Sequence, residues 1–362
     1  MHASLIPHYT PPMLLPCPAL PAPTLAALTS LGHWLRARGY GPGRVSRALG
    51  ILAWNGPDLD GEWWARDNHA EGDLGALVDL FVRGQPLPAR KAEALLPKEA
   101  WGAGILVERR GDVLAEGIIL PLGADLVWTD RGDRSFHKGG LFLPDSTSFE
   151  LRRLIPPQRV RRHLDLGAGG GAITVAAARR AEETVALDIN PRGGEAVQRT
   201  MALSNLSGAV AYSGEAHEAR ALGRFDRLSF VLPLLVPWHG MASAGPEHTI
   251  SASSDLLVQV LEMLPSLMSP GGLVLLYTQD WAGGPPLPMV LDLVMEGRAW
   301  RGAYWWDQQG TWGKRPVRTG CLALRLDGGR GFVEQKNEVP DEGVEDWWPH
   351  MAAMLGESGA TN

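Results

Sequence analysis

The sequence predicts an α/β protein in two parts: a doubly wound parallel sheet over about residues 141–326, behind a mainly helical, winged-helix-like domain over residues 24–140. Three observations predict it. From Arg162 onward, short apolar runs alternate with stretches of helical period, as strands feeding crossover helices do. Between Thr24 and Pro97 the apolar positions recur at spacings of three and four. Between these regions, Gly104–Trp128 switches to short β-type runs around turn residues.

In chain order, Leu25, Leu28, Leu31, Trp34 and Leu35 mark a first helix that Gly39 stops, and shorter helices are expected at Pro42–Leu49, Leu74–Val82 and Ala89–Leu96. Ile105–Val107 and Val113–Ala115 flank Arg110-Gly111-Asp112 as a hairpin. His163–Leu166, Thr184–Leu187, Ala209–Tyr212, Leu228–Leu232 and Leu273–Tyr277 read as parallel strands. Helices at Ala172–Arg180, Gly194–Leu203 and Leu256–Leu267 alternate with them. Pro288–Glu296 is expected to be one more helix, and Ala303–Trp306 with Cys321–Leu326 a closing antiparallel pair. The acidic tail over residues 327–362 is expected to lie outside the core.

Composition narrows the classes of function. A chain of 362 residues is long for one core, and 45% hydrophobic with 20% charged residues is globular chemistry. The net charge of −6 supplies no overall positive field toward nucleic acid or anionic membrane, so a small-molecule or peptide partner is favoured over nucleic acid. Cys17 and Cys321 are too few and too far apart for a disulfide framework or a zinc site, so no metal is expected and a cytoplasmic location fits. Residues 1–23 carry seven prolines and no Lys or Arg, which reads as an extended, mobile arm and not as a secretion signal. No apolar run approaches the roughly 18–20 residues that span a bilayer.

The chemistry concentrates in His163-Leu164-Asp165-Leu166-Gly167-Ala168-Gly169-Gly170-Gly171, a strand that ends in a glycine-rich turn and opens a helix. Such turns let the backbone approach a ligand closely. Gly167, Gly169 and Ala172 also satisfy a dinucleotide pattern, so a nicotinamide cofactor stays open on the turn alone. Two acidic positions tip the reading toward S-adenosylmethionine (SAM), and a third fits either cofactor. Asp165 stands just before the turn, where a carboxylate suits the methionine ammonium and repels a pyrophosphate. Asp188 ends the next strand 23 residues later, placed for the ribose hydroxyls that either cofactor carries, with Ile189 beside it. Gly214-Glu215 follow the third strand, where an acidic residue commonly faces the adenine amino group.

Leu164–Gly171, followed by Ala186-Leu187-Asp188-Ile189-Asn190-Pro191-Arg192, resembles the small-domain class I SAM-dependent methyltransferases, which include release-factor glutamine and ribosomal RNA guanine methyltransferases. Leu141–Leu151 is similar to the segment that precedes the catalytic domain in the glutamine enzymes. The resemblance implies a Rossmann-like methyltransferase fold, SAM as cofactor, and a cofactor set that adds Thr147, Ala168 and Val231 to Asp165, Gly167, Gly169, Gly171, Asp188, Ile189, Gly214 and Glu215. One departure matters. Where the family carries Asn-Pro-Pro-Tyr or Asn-Pro-Pro-Phe after its fourth strand, this sequence has Val231-Leu232-Pro233-Leu234. The family's Asn holds a planar amide or base nitrogen, and valine has neither donor nor acceptor for that task.

Leu232, Pro233, Trp238 and His239 follow that strand and are expected to line the substrate wall, since loops at the carboxyl ends of strands form the crevice of open α/β sheets. His239 is a candidate base, weighed against an ordinary loop histidine, and His248 a weaker one. The 14 tryptophans read either as an aromatic pocket or as core packing. Arg152, Arg153, Arg159, Arg161 and Arg162 read as a phosphate contact or as a solvated linker face. Residues 24–140 are expected to shape substrate access and not to hold the cofactor. The expected activity is methyl transfer to nitrogen or oxygen of a small molecule or peptide. The alternatives are a protein or ribosomal RNA methyltransferase and a SAM-binding protein without turnover.

Overall fold

The computed structural model describes residues 14–51, 71–131, 139–141, 143–233, 254–281, 287–295, 298–312, 315–337 and 346–357. Its N-terminal part runs α1 (Ala22–Ala37), α2 (Pro42–Leu49), α3 (Gly72–Phe81), β1 (Leu87–Pro88), α4 (Ala89–Leu95), α5 (Lys98–Gly102), β2 (Leu106–Arg109) and β3 (Asp112–Ala115). The small sheet has the order β1-β3-β2, which makes residues 72–115 a winged-helix arrangement. Arg110 and Gly111 both have positive φ, 56° and 85°, the mirror-image turn that a two-residue hairpin requires. The five-residue α5, which stands where a groove-reading helix would be, lies against α1, with Gly102 facing Ala27.

A second hairpin follows, β4 (Gly117–Leu122) with β5 (Asp125–Asp130), and both strands are buried along their whole length. The large-sheet region then runs α6 (Ser146–Arg153), β6 (Val160–Leu166), α7 (Ala172–Ala178), β7 (Ala181–Asp188), α8 (Gly193–Leu203), β8 (Ala209–Ser213), a 3-10 helix (Ala216–Leu222) and β9 (Phe225–Val231). It continues through α9 (Ser254–Leu267), β10 (Met268–Trp281), α10 (Leu287–Met295), β11 (Arg301–Trp312) and β12 (Arg315–Arg325). The large sheet is ordered β13-β11-β12-β10-β9-β6-β7-β8, where β13 is Gly331–Lys336. Strands β8, β7, β6, β9 and β10 are parallel and β12 is antiparallel to its neighbours, so the fold is the doubly wound sheet of the class I methyltransferase type.

Both faces of this sheet are covered, which is why its central strands read as continuous apolar runs. Along β10, Val274 and Leu276 pack into the cluster around Leu164, Leu166 and α9, whereas Leu273, Leu275 and Tyr277 pack into the one around Leu151 and Trp347. The strand order reverses beside β6, so the carboxyl ends of β6 and β9 flank the position where such sheets open a crevice.

Two terminal expectations need correction. Residues 14–20 are not a free arm. Pro16 bridges Tyr212 at the edge of β8, Cys17 N–H donates to Ala211 O (2.8 Å), and Gln198 ties Pro18 and Leu20. The segment after Asp327 is also part of the fold. Strand β13 pairs in parallel with β11, and α11 (Trp348–Met354) buries Trp348, Met351 and Ala352, with Trp347 just before it. Apolar residues Trp347, Trp348, Met351 and Leu355, diluted by neighbouring acids in the sequence, supply the buried area that docks it. Trp305 and Trp347 meet edge to face at 5.2 Å, so these tryptophans are core and not pocket.

Candidate functional site

The glycine turn is shaped from three sides. Gly167 (φ 62°), Gly169 (φ 50°) and Gly171 (φ 83°) occupy backbone conformations that a Cβ disfavours. A Cβ on Gly167 would stand 2.8 Å from the Phe230 ring, and one on Gly170 would stand 2.6 Å from Trp128 O. Nothing among the described residues lies within 4 Å of the Cβ position of Gly169. That turn is therefore packed underneath and behind, and open at Gly169. Ala168 is buried.

Asp165 lies beneath the turn, 1% exposed, at the end of β6. Its Oδ2 accepts from Thr174 Oγ1 at 2.6 Å and its Oδ1 from Ser229 Oγ at 2.9 Å. Ser229 Oγ in turn lies 2.8 Å from His163 Nε2. Burial holds the His163 imidazole well below its ordinary range. Burial pushes the Asp165 carboxyl up to about 7, against the lowering by its two hydroxyl donors, and the nearby Asp188 charge adds to the rise. A buried carboxyl raised this far is only partly ionised near neutral pH, and a cation set beside it would favour the ionised form.

Asp188 ends β7, and its carboxylate is aimed by backbone donors. Oδ2 accepts from Gly169 N–H at 2.6 Å and Oδ1 from Asn190 N–H at 2.7 Å. Ile189, next in sequence, exposes 46% of its surface. Gly214 N–H donates to Asp188 O at 2.9 Å and so brings the end of β8 beside it. The exposed Glu215 carboxylate caps the 3-10 helix in a reciprocal box with Glu218 and pairs with His217 Nδ1 at 3.1 Å. The Glu215 side chain stays exposed beside Gly214.

The remaining positions divide. Val231 is half-buried at the end of β9. Leu232 is buried and spends its N–H on Tyr277 O (3.0 Å), while Pro233 has no N–H to offer. Thr147 is buried and gives its hydroxyl to Asp145, the residue that caps α6 and whose carboxyl burial pushes up. Trp238, His239 and His248 lie outside the described residues. The basic run divides: Arg152 pairs with the buried Asp125, Arg153 stacks over Trp347 and Arg162 pairs with Glu183, whereas Arg159 and Arg161 are exposed.

Sequence reasoning missed how firmly the N-terminal region grips this site. Thr200 on α8 accepts from Trp128 N–H (2.9 Å) and donates to Gly170 O (2.6 Å). Four residues on, Ser204 bonds both polar groups of Leu126. The helix hydroxyls thus complete the open edge of β5. Beyond Asp188, Asn190 Nδ2 donates to Gly140 O (2.9 Å), and Arg192 grips the buried Asp130 through both nitrogens. Leu126, Trp128, Asp130 and Gly140 therefore brace α8, the glycine turn and the Asp188 loop. The only sequence signal was Thr200 and Ser204 at helical spacing on an otherwise apolar face.

No protein-family model matches the chain, and no curated protein does. Solved structures with a similar fold include Trm5b from Pyrococcus abyssi, 14% identical, with 61% of this chain and 62% of that one covered and a TM-score of 0.40. They also include an rRNA methylase from Streptococcus thermophilus, 12% identical over 50% of this chain and 94% of that one, TM-score 0.32. A precorrin-6y methyltransferase from Geobacter metallireducens is 13% identical over 50% and 87%, TM-score 0.33. The chain spans less than two thirds of the Pyrococcus protein.

Proposed function

We propose that this chain is a SAM-dependent methyltransferase whose acceptor is a nitrogen or oxygen on a small molecule or peptide. The observation that carries the reading is the pair of carboxylates, Asp165 beneath the glycine turn and Asp188 at the next strand end, fixed on either side of the open position at Gly169. These residues fit the cofactor. Gly169 leaves the space that a Cβ would fill, Asp165 offers a dry counter-charge for an ammonium, Asp188 offers a strand-end carboxylate aimed by backbone N–H groups toward the ribose, and the exposed Ile189 offers an apolar face for adenine. A pyrophosphate, by contrast, would meet the Asp165 charge.

Bound SAM supplies a methyl group already activated by its sulfonium. The protein's task is alignment and exclusion of water, to which proximity and orientation contribute roughly 7–11 kcal/mol. At the acceptor side the end of β9 offers little: Val231 and Leu232 have apolar side chains, and the Leu232 N–H is already bonded to Tyr277 O. That observation argues against a planar amide or base held in the manner of the resembling enzymes. It equally supports the second reading, a SAM-binding protein without turnover. A groove-reading role for the winged helix is disfavoured because α5 packs on α1.

Incubation with methyl-labelled SAM and a fractionated cell extract separates these readings. Label in a small-molecule or protease-sensitive fraction is the expected result. Label in a ribonuclease-sensitive fraction would move the acceptor to RNA, and SAM binding without labelled product would leave only the binding reading.

A further inference from the structure

The segment just before α1 crosses the edge of the sheet in one direction only. Pro16 bridges Tyr212 in antiparallel sense and Cys17 N–H donates to Ala211 O at 2.8 Å, so the chain read backward from Cys17 climbs toward the carboxyl end of β8. Leu14 arrives opposite Gly214, where its Cδ1 lies 2.7 Å from the position a Cβ would take. Leu14 also packs with the cluster that holds Tyr212 and Ala216. Lower down, a Cβ on Gly194 would collide with Cys17 Sγ. Neither Gly194 nor Gly214 has a positive φ, so it is not backbone conformation that calls for glycine there. Close approach does: by Cys17 at Gly194, and by Leu14 together with the Glu218 carboxylate at Gly214.

Both glycines belong to the ribose end of the site. Gly214 N–H bonds Asp188 O at 2.9 Å, and the Cβ position of Gly193, beside Gly194, is 2.9 Å from Asp188 Cβ. Gln198 on α8 fastens the segment below through Leu20 N–H (2.7 Å) and Pro18 O (2.9 Å), so its placement is held at both ends. We propose that residues Leu14–Leu20 form the outer wall of the cofactor cleft, with Leu14 and Cys17 bordering the adenosine. This inference rests on the SAM reading above. Burial, with the Asp188 charge as a second cause, raises the pKa of the Cys17 thiol, as expected for a group set beside that carboxylate.

The thiol makes the wall measurable in the full-length protein. Cys17 is half-buried whereas Cys321 is 3% exposed, so an aromatic disulfide reagent reads Cys17 first. S-adenosylhomocysteine at saturation is expected to slow labelling of Cys17 by about tenfold. Titration calorimetry is expected to show Leu14→Glu binding S-adenosylhomocysteine about tenfold more weakly than the parent, the equivalent of about 1.4 kcal/mol. Should Leu14→Glu fail to fold by thermal melting, Leu14→Ala is the variant measured, with weaker binding again expected. Binding by the parent with unprotected Cys17 and an unchanged affinity in the variant would overturn the wall while leaving the cofactor. No binding by the parent would overturn the SAM reading, and this inference with it.

Discussion

Replacing Asp165 by asparagine separates two properties that one carboxylate combines. In the folded chain its pKa rises from 3.8 to about 7, mainly through burial. The folded state therefore holds the proton more tightly than the unfolded state does, so stability present at acid pH is lost as pH rises from about 4 through about 7. The full difference corresponds to about 4 kcal/mol by pH 8. Asparagine keeps the shape, accepts from Thr174 through its oxygen and donates to Ser229 through its nitrogen, but carries no charge to bury. Weaker neutral hydrogen bonds offset part of the gain, which leaves Asp165→Asn more stable than the parent by about 1–3 kcal/mol at pH 8 and nearly equal at pH 4.5. SAM affinity should move the other way, by tenfold or more, as the ammonium loses its counter-charge; a charged hydrogen bond contributes roughly 1.5–3 kcal/mol. In the parent, affinity should strengthen with pH up to about 7, because the cation selects the ionised carboxylate. Urea unfolding of both proteins from pH 4.5 to 8.5, beside calorimetric titration of SAM, reads all of this. An asparagine variant less stable than the parent at pH 8, or binding SAM equally well, would refute the reasoning.

Thr200→Val deletes the hydroxyl that joins Trp128 N–H to Gly170 O, which leaves two buried backbone groups unpaired; a loss of about 1–3 kcal/mol in chemical denaturation, with weaker SAM binding, is expected. Gly170→Ala drives a Cβ against Trp128 O and should cost about 1–3 kcal/mol through overpacking, read as a lowered Tm; an unchanged Tm would mean that the hairpin is not seated on the turn. Peptides carrying a Gly-Gly-Gln segment should yield no methylated glutamine by mass spectrometry, because Val231 cannot accept the amide N–H and leaving it unpaired costs roughly 1–3 kcal/mol. Efficient methylation there would show that backbone carbonyls at the end of β9 suffice.

The strands and helices that position the cofactor cleft were legible because their signals are local. A glycine turn after an apolar strand and a second acidic strand end announce themselves at fixed spacing, and the structure sets Asp165 and Asp188 at the ends of β6 and β7 as that spacing implies. What escaped the sequence is non-local. The hydroxyls of Thr200 and Ser204 gain meaning only when an edge strand from 70 or more residues earlier lies beside them. The terminal segments misled for a compositional reason. Prolines suggested an arm, yet proline suits an edge pairing in which its missing N–H faces outward. Acids after Asp327 masked the Trp347-Trp348 anchor.

The most direct measurement is calorimetric titration of SAM into the full-length protein and into Asp188→Ala. The account predicts one site per chain in the parent and an affinity at least about tenfold weaker in the variant, since the carboxylate proposed to hold the ribose also accepts the Gly169 N–H. No binding by the parent, or equal binding by both, would contradict it.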